Sequence, residues 1–177
     1  MVKMVLHAFG DLDLDSWSKL LAKAYPSYKF GIGKKIPTSA EFRVGTIVER
    51  KPKKKKIATP KSRVPTFSAN LILQYLNNDK NKDIHLVLTK HLLVVDKSIT
   101  STLYAGLCWT EKQLMIVSFA RLDDDKVIAT VIHHEIGHML GLPHCEDDKC
   151  IMREGQHGVD VVASTFWCEQ CTNTLKK

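Results

Sequence analysis

Residues 134 to 144 read His-Glu-Ile-Gly-His-Met-Leu-Gly-Leu-Pro-His, which sets three imidazoles and a carboxylate at fixed offsets. The run satisfies H-E-x-x-H-x-x-G-x-x-H through His134, Glu135, His138, Gly141 and His144. Five such positions, three of them the uncommon His, coincide by accident in roughly one chain of this length in 10⁵, so scattered surface histidines are set aside. Residues four apart lie one above the other on a helix face, so His134 and His138 can offer two ring nitrogens to one ion. Gly141 is placed to end that helix, because glycine takes the left-handed conformation without steric cost. Pro143 cannot continue a helix comfortably, and it stiffens the segment that brings His144 back as a third ligand. Three neutral imidazoles leave a tetrahedral Zn²⁺ one open position, which is the pattern of a catalytic metal. Glu135 is not needed as a ligand, yet it follows His134 directly. Its carboxylate can take a proton from water beside the metal and pass it to a leaving amine. The expected chemistry is zinc-dependent hydrolysis of a peptide bond with Glu135 as general base.

A second constellation adjoins the first. Cys145 is next to His144, Cys150 lies five residues on, and Cys168 and Cys171 form a C-x-x-C pair. Two close pairs separated by a loop suit a closed Cys₄ zinc site. The competing readings are two disulfides or inert thiols; disulfides seldom persist in a reducing cytosol, and no secretory leader is visible in MVKMVLHAFGDLDLD. Cys108, the fifth cysteine, reads as a small buried hydrophobe on a strand.

The stretch HEIGHMLGLPHCEDDKCIM followed by CEQC closely resembles the archaemetzincins, a metzincin family of zinc metallopeptidases. The resemblance covers residues 134–152 and 168–171, with VSFARL at 117–122 similar to the family's segment ahead of the active-site helix. It implies a catalytic zinc on His134, His138 and His144, with Glu135 as base. It also implies a structural zinc on Cys145, Cys150, Cys168 and Cys171, which makes two zinc ions per chain. Met152 matches the methionine of the turn beneath the metal; alone it would be ordinary apolar filler. The 15 residues between Met152 and Cys168 are slightly fewer than the family pattern, a trimmed loop that touches no ligand.

At 177 residues and 44% hydrophobic content, one globular domain is expected, with room for a real core. The resemblance implies that residues 1–141 are an upper sheet-bearing part and residues 142–177 a lower part with His144, Cys145, Cys150, Cys168 and Cys171. No stretch reaches the 18 or so apolar residues of a membrane span, so a cytoplasmic, monomeric protein acting on peptide or protein is expected. The net charge of +7 is local: residues 50–63, RKPKKKKIATPKSR, hold eight basic residues and no acidic one, leaving −1 for the rest. Such a run repels itself and reads as an exposed loop. A nucleic-acid or polyanion contact is the sharper reading, and the absence of an aromatic for base stacking weighs against it. A zinc-scaffolded binding protein with little or no peptidase activity is the alternative function. Its only positive sign is this basic loop, and a pure scaffold needs no Glu135.

The positioning elements follow from periodicity. Strands are expected at 2–9, 41–49, 84–95, 103–108 and 113–120, and helices at 13–25, 67–78, about 126–140 and 160–175, with a zinc-knuckle turn as the alternative to the last. On the second helix, Phe67, Leu71, Ile72, Tyr75 and Leu76 would form one core face. Asp123, Asp124 and Asp125 offer capping acids for the third. The order predicts an α/β (α+β) fold with three α/β/α layers around a twisted mixed sheet, sharpened by the resemblance to a zincin-like fold. An edge strand above the cleft could pair with an extended peptide, and 103–108 or 113–120 are its candidates. Of the remaining histidines, His133 is expected in contact behind the ligands or in solvent, and His7, His85 and His91 as ordinary strand residues. His157 falls in the loop between the cysteine pairs, beside the cleft at most.

Overall fold

The structure is a computed structural model that describes residues 2–49, 62–77, 83–95, 103–120, 122, 124–153 and 166–176. Its chain order begins with β1 (Val2–Phe9), α1 (Leu14–Ala24), β2 (Tyr28–Ile36), β3 (Arg43–Glu49), β4 (Ser62–Ser68) and α2 (Ala69–Leu76). It continues with β5 (Ile84–Thr89), β6 (Leu92–Val94), β7 (Leu103–Tyr104), β8 (Gly106–Trp109), β9 (Leu114–Ser118), α3 (Asp125–Met139) and α4 (Glu169–Thr174). The strands build a five-stranded sheet, β2-β1-β5-β9-β8, and a four-stranded sheet, β3-β4-β6-β7. In the larger sheet β8 alone runs antiparallel, against β9.

Alternation along each strand divides the core into two layers. Met4, Leu6, Leu86, Leu88, Met115 and Val117 meet α1 and α3 on one face of the sheet. Phe9, Val87, Leu114 and Ile116 meet α2 and the smaller sheet on the other. β5 is central and buried along its whole length, as a strand covered on both faces must be. The expected α/β/α layering around a mixed sheet therefore holds, with a second sheet added that periodicity did not separate.

Several expected elements divide or shift. The run 84–95 breaks at Lys90–His91 into β5 and β6, which join different sheets. The run 103–108 breaks at Ala105 in the same way, β7 pairing with β6 and β8 with β9. Phe67 lies in β4 and not on a helix, and α2 starts at Ala69 with the Ser68 hydroxyl accepting the Leu71 N–H. Consequently Tyr75 leaves the expected core face and is 47% exposed, while Leu73 is buried instead. Strand β2 was not expected at all; it is an edge strand whose glycines and lysines hide its period. Of the expected last helix, residues 166–168 are not helical, and 160–165 lie outside the described residues. So do residues 50–61 of the basic run, whose last two positions, 62 and 63, begin β4.

Leu88 is fully buried in β5 between two covered faces. Leu88→Ala should cost about 2–5 kcal/mol through lost burial and an unfilled cavity. Urea unfolding of the metal-saturated variant measures it.

Candidate active site

Helix α3 is delimited by backbone geometry at both ends. The Asp124 carbonyl accepts the Ile128 N–H at 3.0 Å, which puts Asp124 at the N-cap; Asp123 is outside the described residues. At the other end the Leu142 N–H donates to the Gly137 carbonyl and the Gly141 N–H to the His138 carbonyl, both at 2.9 Å. That pair of bonds is a Schellman closure with Gly141 in the left-handed region, φ +89°. Nothing lies within 4 Å of where a Gly141 Cβ would sit, so conformation and not space demands glycine there.

The closure has a chemical result. It turns the Leu142 carbonyl back to accept the His138 Nδ1–H at 2.9 Å, while the Ile151 carbonyl accepts the His134 Nδ1–H at 2.8 Å. With its δ nitrogen protonated, each ring has only a lone pair on Nε2. Yet the Nε2 atoms of His134 and His138 are 3.0 Å apart, and those of His138 and His144 are 3.2 Å apart. Bare acceptors at such distances repel, and a cation among them removes the repulsion. Tetrahedral zinc with ligand nitrogens at about 2.0–2.1 Å spaces them by about 3.3 Å, close to what is found. Burial pulls His134 down to about 4 and lowers His138 as well, which keeps both rings in the neutral form that binds metal.

Glu135 is 6% exposed and packs against β8. A Cβ on Gly106 would run into its carboxylate, so the backbone of β8 passes directly beside the acid. Burial pushes Glu135 up to about 8; positive charge nearby acts in the opposite direction. Gly106 was not singled out from sequence, although an isolated glycine in a strand signals a close backbone approach. Among the described residues β8 is an edge strand of the larger sheet, whereas β9 is paired on both sides. Beneath the ligands, Met152 is fully buried, with its sulfur where a Gly137 side chain would otherwise be.

The four cysteines converge. The Sγ atoms of Cys145 and Cys168 are 3.7 Å apart, as are those of Cys150 and Cys171. A disulfide needs about 2.05 Å, whereas zinc with sulfur at about 2.3 Å spaces its ligands by about 3.8 Å. All four sulfurs lie within 4.8 Å of one another, and the three imidazoles meet the same limit. The N–H groups of Met152 and Cys168 both donate to Cys150 Sγ at 3.4 Å. The Cys171 N–H, first among several donors, pulls Cys168 below the usual thiol range. A cavity of about 320 Å³ opens between residues 142–146 and α4, with His144 on its wall.

His133 is held between the rings of Tyr25 and Trp167, at centroid distances of 5.1 and 4.5 Å, behind the ligands as expected. His7 and His85 share a buried hydrogen bond of 2.9 Å, and His91 packs edge-on to Phe9 and Phe67. His157 is outside the described residues.

A mixed sheet backed by a His-Glu helix, a glycine-turned third histidine and an adjoining thiol cluster make up a zincin-like fold with two candidate metal clusters. Residues 114–177 match Peptidase family M54. The archaemetzincin of Pyrococcus abyssi is 40% identical over 45 residues, 25% of this chain and 24% of that protein. The sequence match thus spans about a quarter of the curated relatives' length. The fold match is wider. The archaemetzincin structure from Methanopyrus kandleri superposes with a TM-score of 0.68 at 22% identity, covering 99% of this chain and 93% of that one. The one from Archaeoglobus fulgidus gives 0.69 at 16% identity, covering 97% and 99%. The family match thus rests on residues 114–177, and the wider likeness to archaemetzincin structures is one of fold.

Cys108 lies on β8 with its sulfur 2.9 Å from that of Met139, and burial, aided by Glu135, pushes its thiol up to about 12. The thiolate fraction at pH 8 is then about 10⁻⁴, against roughly a quarter for an ordinary thiol. In metal-saturated protein Cys108 should therefore alkylate about a thousandfold more slowly than glutathione at pH 8, gaining rate as pH rises toward 12. Timed iodoacetamide labelling with peptide mapping reads this out.

Proposed function

We propose that this chain is a zinc-dependent peptidase in which Glu135 acts as the general base. The observation that carries the reading is the inward turn of the His134 and His138 lone pairs at 3.0 Å, with Glu135 buried next to them on α3. His134, His138 and His144 would hold the catalytic zinc, and Cys145, Cys150, Cys168 and Cys171 a second, structural one. When bound, the catalytic zinc supplies Lewis acidity toward a scissile carbonyl and toward water.

The remaining steps belong to the chain's own residues. The free edge of β8 can hydrogen-bond an extended peptide and lay its backbone across the histidines. Glu135, ionised, takes a proton from the attacking water and returns it to the departing amine. Gly106 keeps the space that this carboxylate needs. Met152 and Gly141 support the ligands by packing and by chain reversal. The whole is read as a single, monomeric peptidase domain: residues 1–141 carry the sheet and α3, and residues 142–177 carry His144 and the cysteines. Trp167 packs against the apolar clusters of both parts, which supports reading them as one domain. The unbridged thiols favour a reducing, cytoplasmic setting, and no described helix is long and apolar enough to cross a membrane.

Purified protein should hold about two zinc ions, and Glu135→Ala should keep both while lowering peptide turnover about 10²–10⁴-fold. Metal analysis beside a peptide-library digest tests both halves; turnover that survives the substitution ends the mechanism. The two sites should also separate by stability. Cys168→Ser should lower the melting temperature by roughly 10 °C or more, because structural zinc contributes to folding. His144→Ala should release the catalytic ion and leave most of that stability. Equal melting temperatures for the two variants would contradict the assignment.

A further inference from the structure

Trp167 occupies a place that neither metal site accounts for. It precedes Cys168, and its indole lies along the side of α3 that carries His133 and Gly137. Those two residues are four apart and share a face, next to the face that bears His134 and His138. The ring meets His133 at 4.5 Å, and its Nε1 lies 3.2 Å from where a Gly137 Cβ would be. That Nε1 is buried with no acceptor among the described residues, so a cost is borne to keep an indole there. Placement, and not a hydrogen bond, is what the residue provides.

The backbone on either side explains what is being placed. The Phe166 carbonyl, one residue before Trp167, accepts the Ile151 N–H at 3.2 Å. The Ile151 carbonyl in turn accepts the His134 Nδ1–H at 2.8 Å. Cys168, one residue after, donates its N–H to Cys150 Sγ, and Met152 does the same from the other strand of the cluster. The thiol cluster thus fixes the 150–152 segment and the 166–168 segment to each other. Trp167 lies between that pair and α3, against His133 and Gly137.

We propose that Trp167 is a positioning residue for the histidine trio: lodged between α3 and the four-cysteine cluster, it holds the Ile151 carbonyl on His134 and so sets how tightly the trio binds its metal. The inference rests on the metal-binding reading above but not on turnover. Partners that hold a ligating histidine from behind are worth about 10–100-fold in metal affinity, and Trp167 acts one step further back.

The test is a cobalt titration of chelator-stripped protein, as wild type, Trp167→Phe, Trp167→Leu and Trp167→Ala, in competition with a chromophoric chelator. Cobalt on four thiolates gives thiolate-to-metal charge-transfer absorption, which cobalt on imidazoles lacks, so each site is followed separately. Trp167→Leu and Trp167→Ala should weaken the imidazole site about tenfold, with the sulfur site held within about twofold; Trp167→Phe, which keeps a flat ring on His133, should stay within about threefold of wild type. Should the Ala variant fail to fold, the Phe and Leu pair decides. Wild-type affinity in Trp167→Leu would overturn the proposal, and so would parallel weakening of both sites, the mark of a merely structural residue. Wild-type protein that takes no cobalt at the imidazoles would overturn the metal-binding reading along with it, whereas the Glu135→Ala result bears on catalysis alone.

Discussion

Two hydrogen bonds from imidazole δ nitrogens to main-chain carbonyls organise this molecule more than any apolar contact does. They fix the tautomer of His134 and His138, and so aim two lone pairs at a common point. Neither carbonyl lies within α3. The Leu142 carbonyl comes from the turn that ends it, and the Ile151 carbonyl from the thiol-bearing segment. The helix alone can bring two rings to one side, but it cannot orient them. Orientation comes from chain that folds back beneath it, and the buried sheet above gives α3 a fixed surface to rest on.

This arrangement makes the part after Gly141 a frame for the site and not an appendage. Among the described residues its apolar cluster is small, comprising Leu142, Cys150, Ile151, Met152 and Cys171. An apolar group of that size holds a segment weakly. The four sulfurs meet beside it, two main-chain N–H groups point at Cys150, and a metal held there would supply cross-linking that burial does not. The same economy appears above the helix, where β8 contributes glycine so that its backbone can lie against Glu135.

The histidine and cysteine clusters were legible because a shared ion needs particular side chains at particular separations. His134, His138 and His144 come together as their spacing implied, and so do the four cysteines, across the 17 residues between Cys150 and Cys168. The layered fold was legible from the apolar, β-branched runs that form β1, β5 and β9, which lie inside the larger sheet with a strand on each side. What escaped lay where burial is partial. β2 at the sheet edge has too little apolar contrast to show a period. Phe67 and Tyr75 were assigned to one helical face because β4 passes into α2 without a break that sequence marks. Gly106 and Trp167 escaped for a different reason. Their importance comes from what lies opposite them in space, and local sequence holds little record of that.

The two clusters draw on different spans of chain, the imidazoles on residues 134–144 and the thiols on residues 145–171. The carbonyl behind His134 belongs to the second span and not to the first. Any state of the chain in which the thiols have not met would leave that carbonyl unanchored, and an ion among the imidazoles would then be held by rings free to turn.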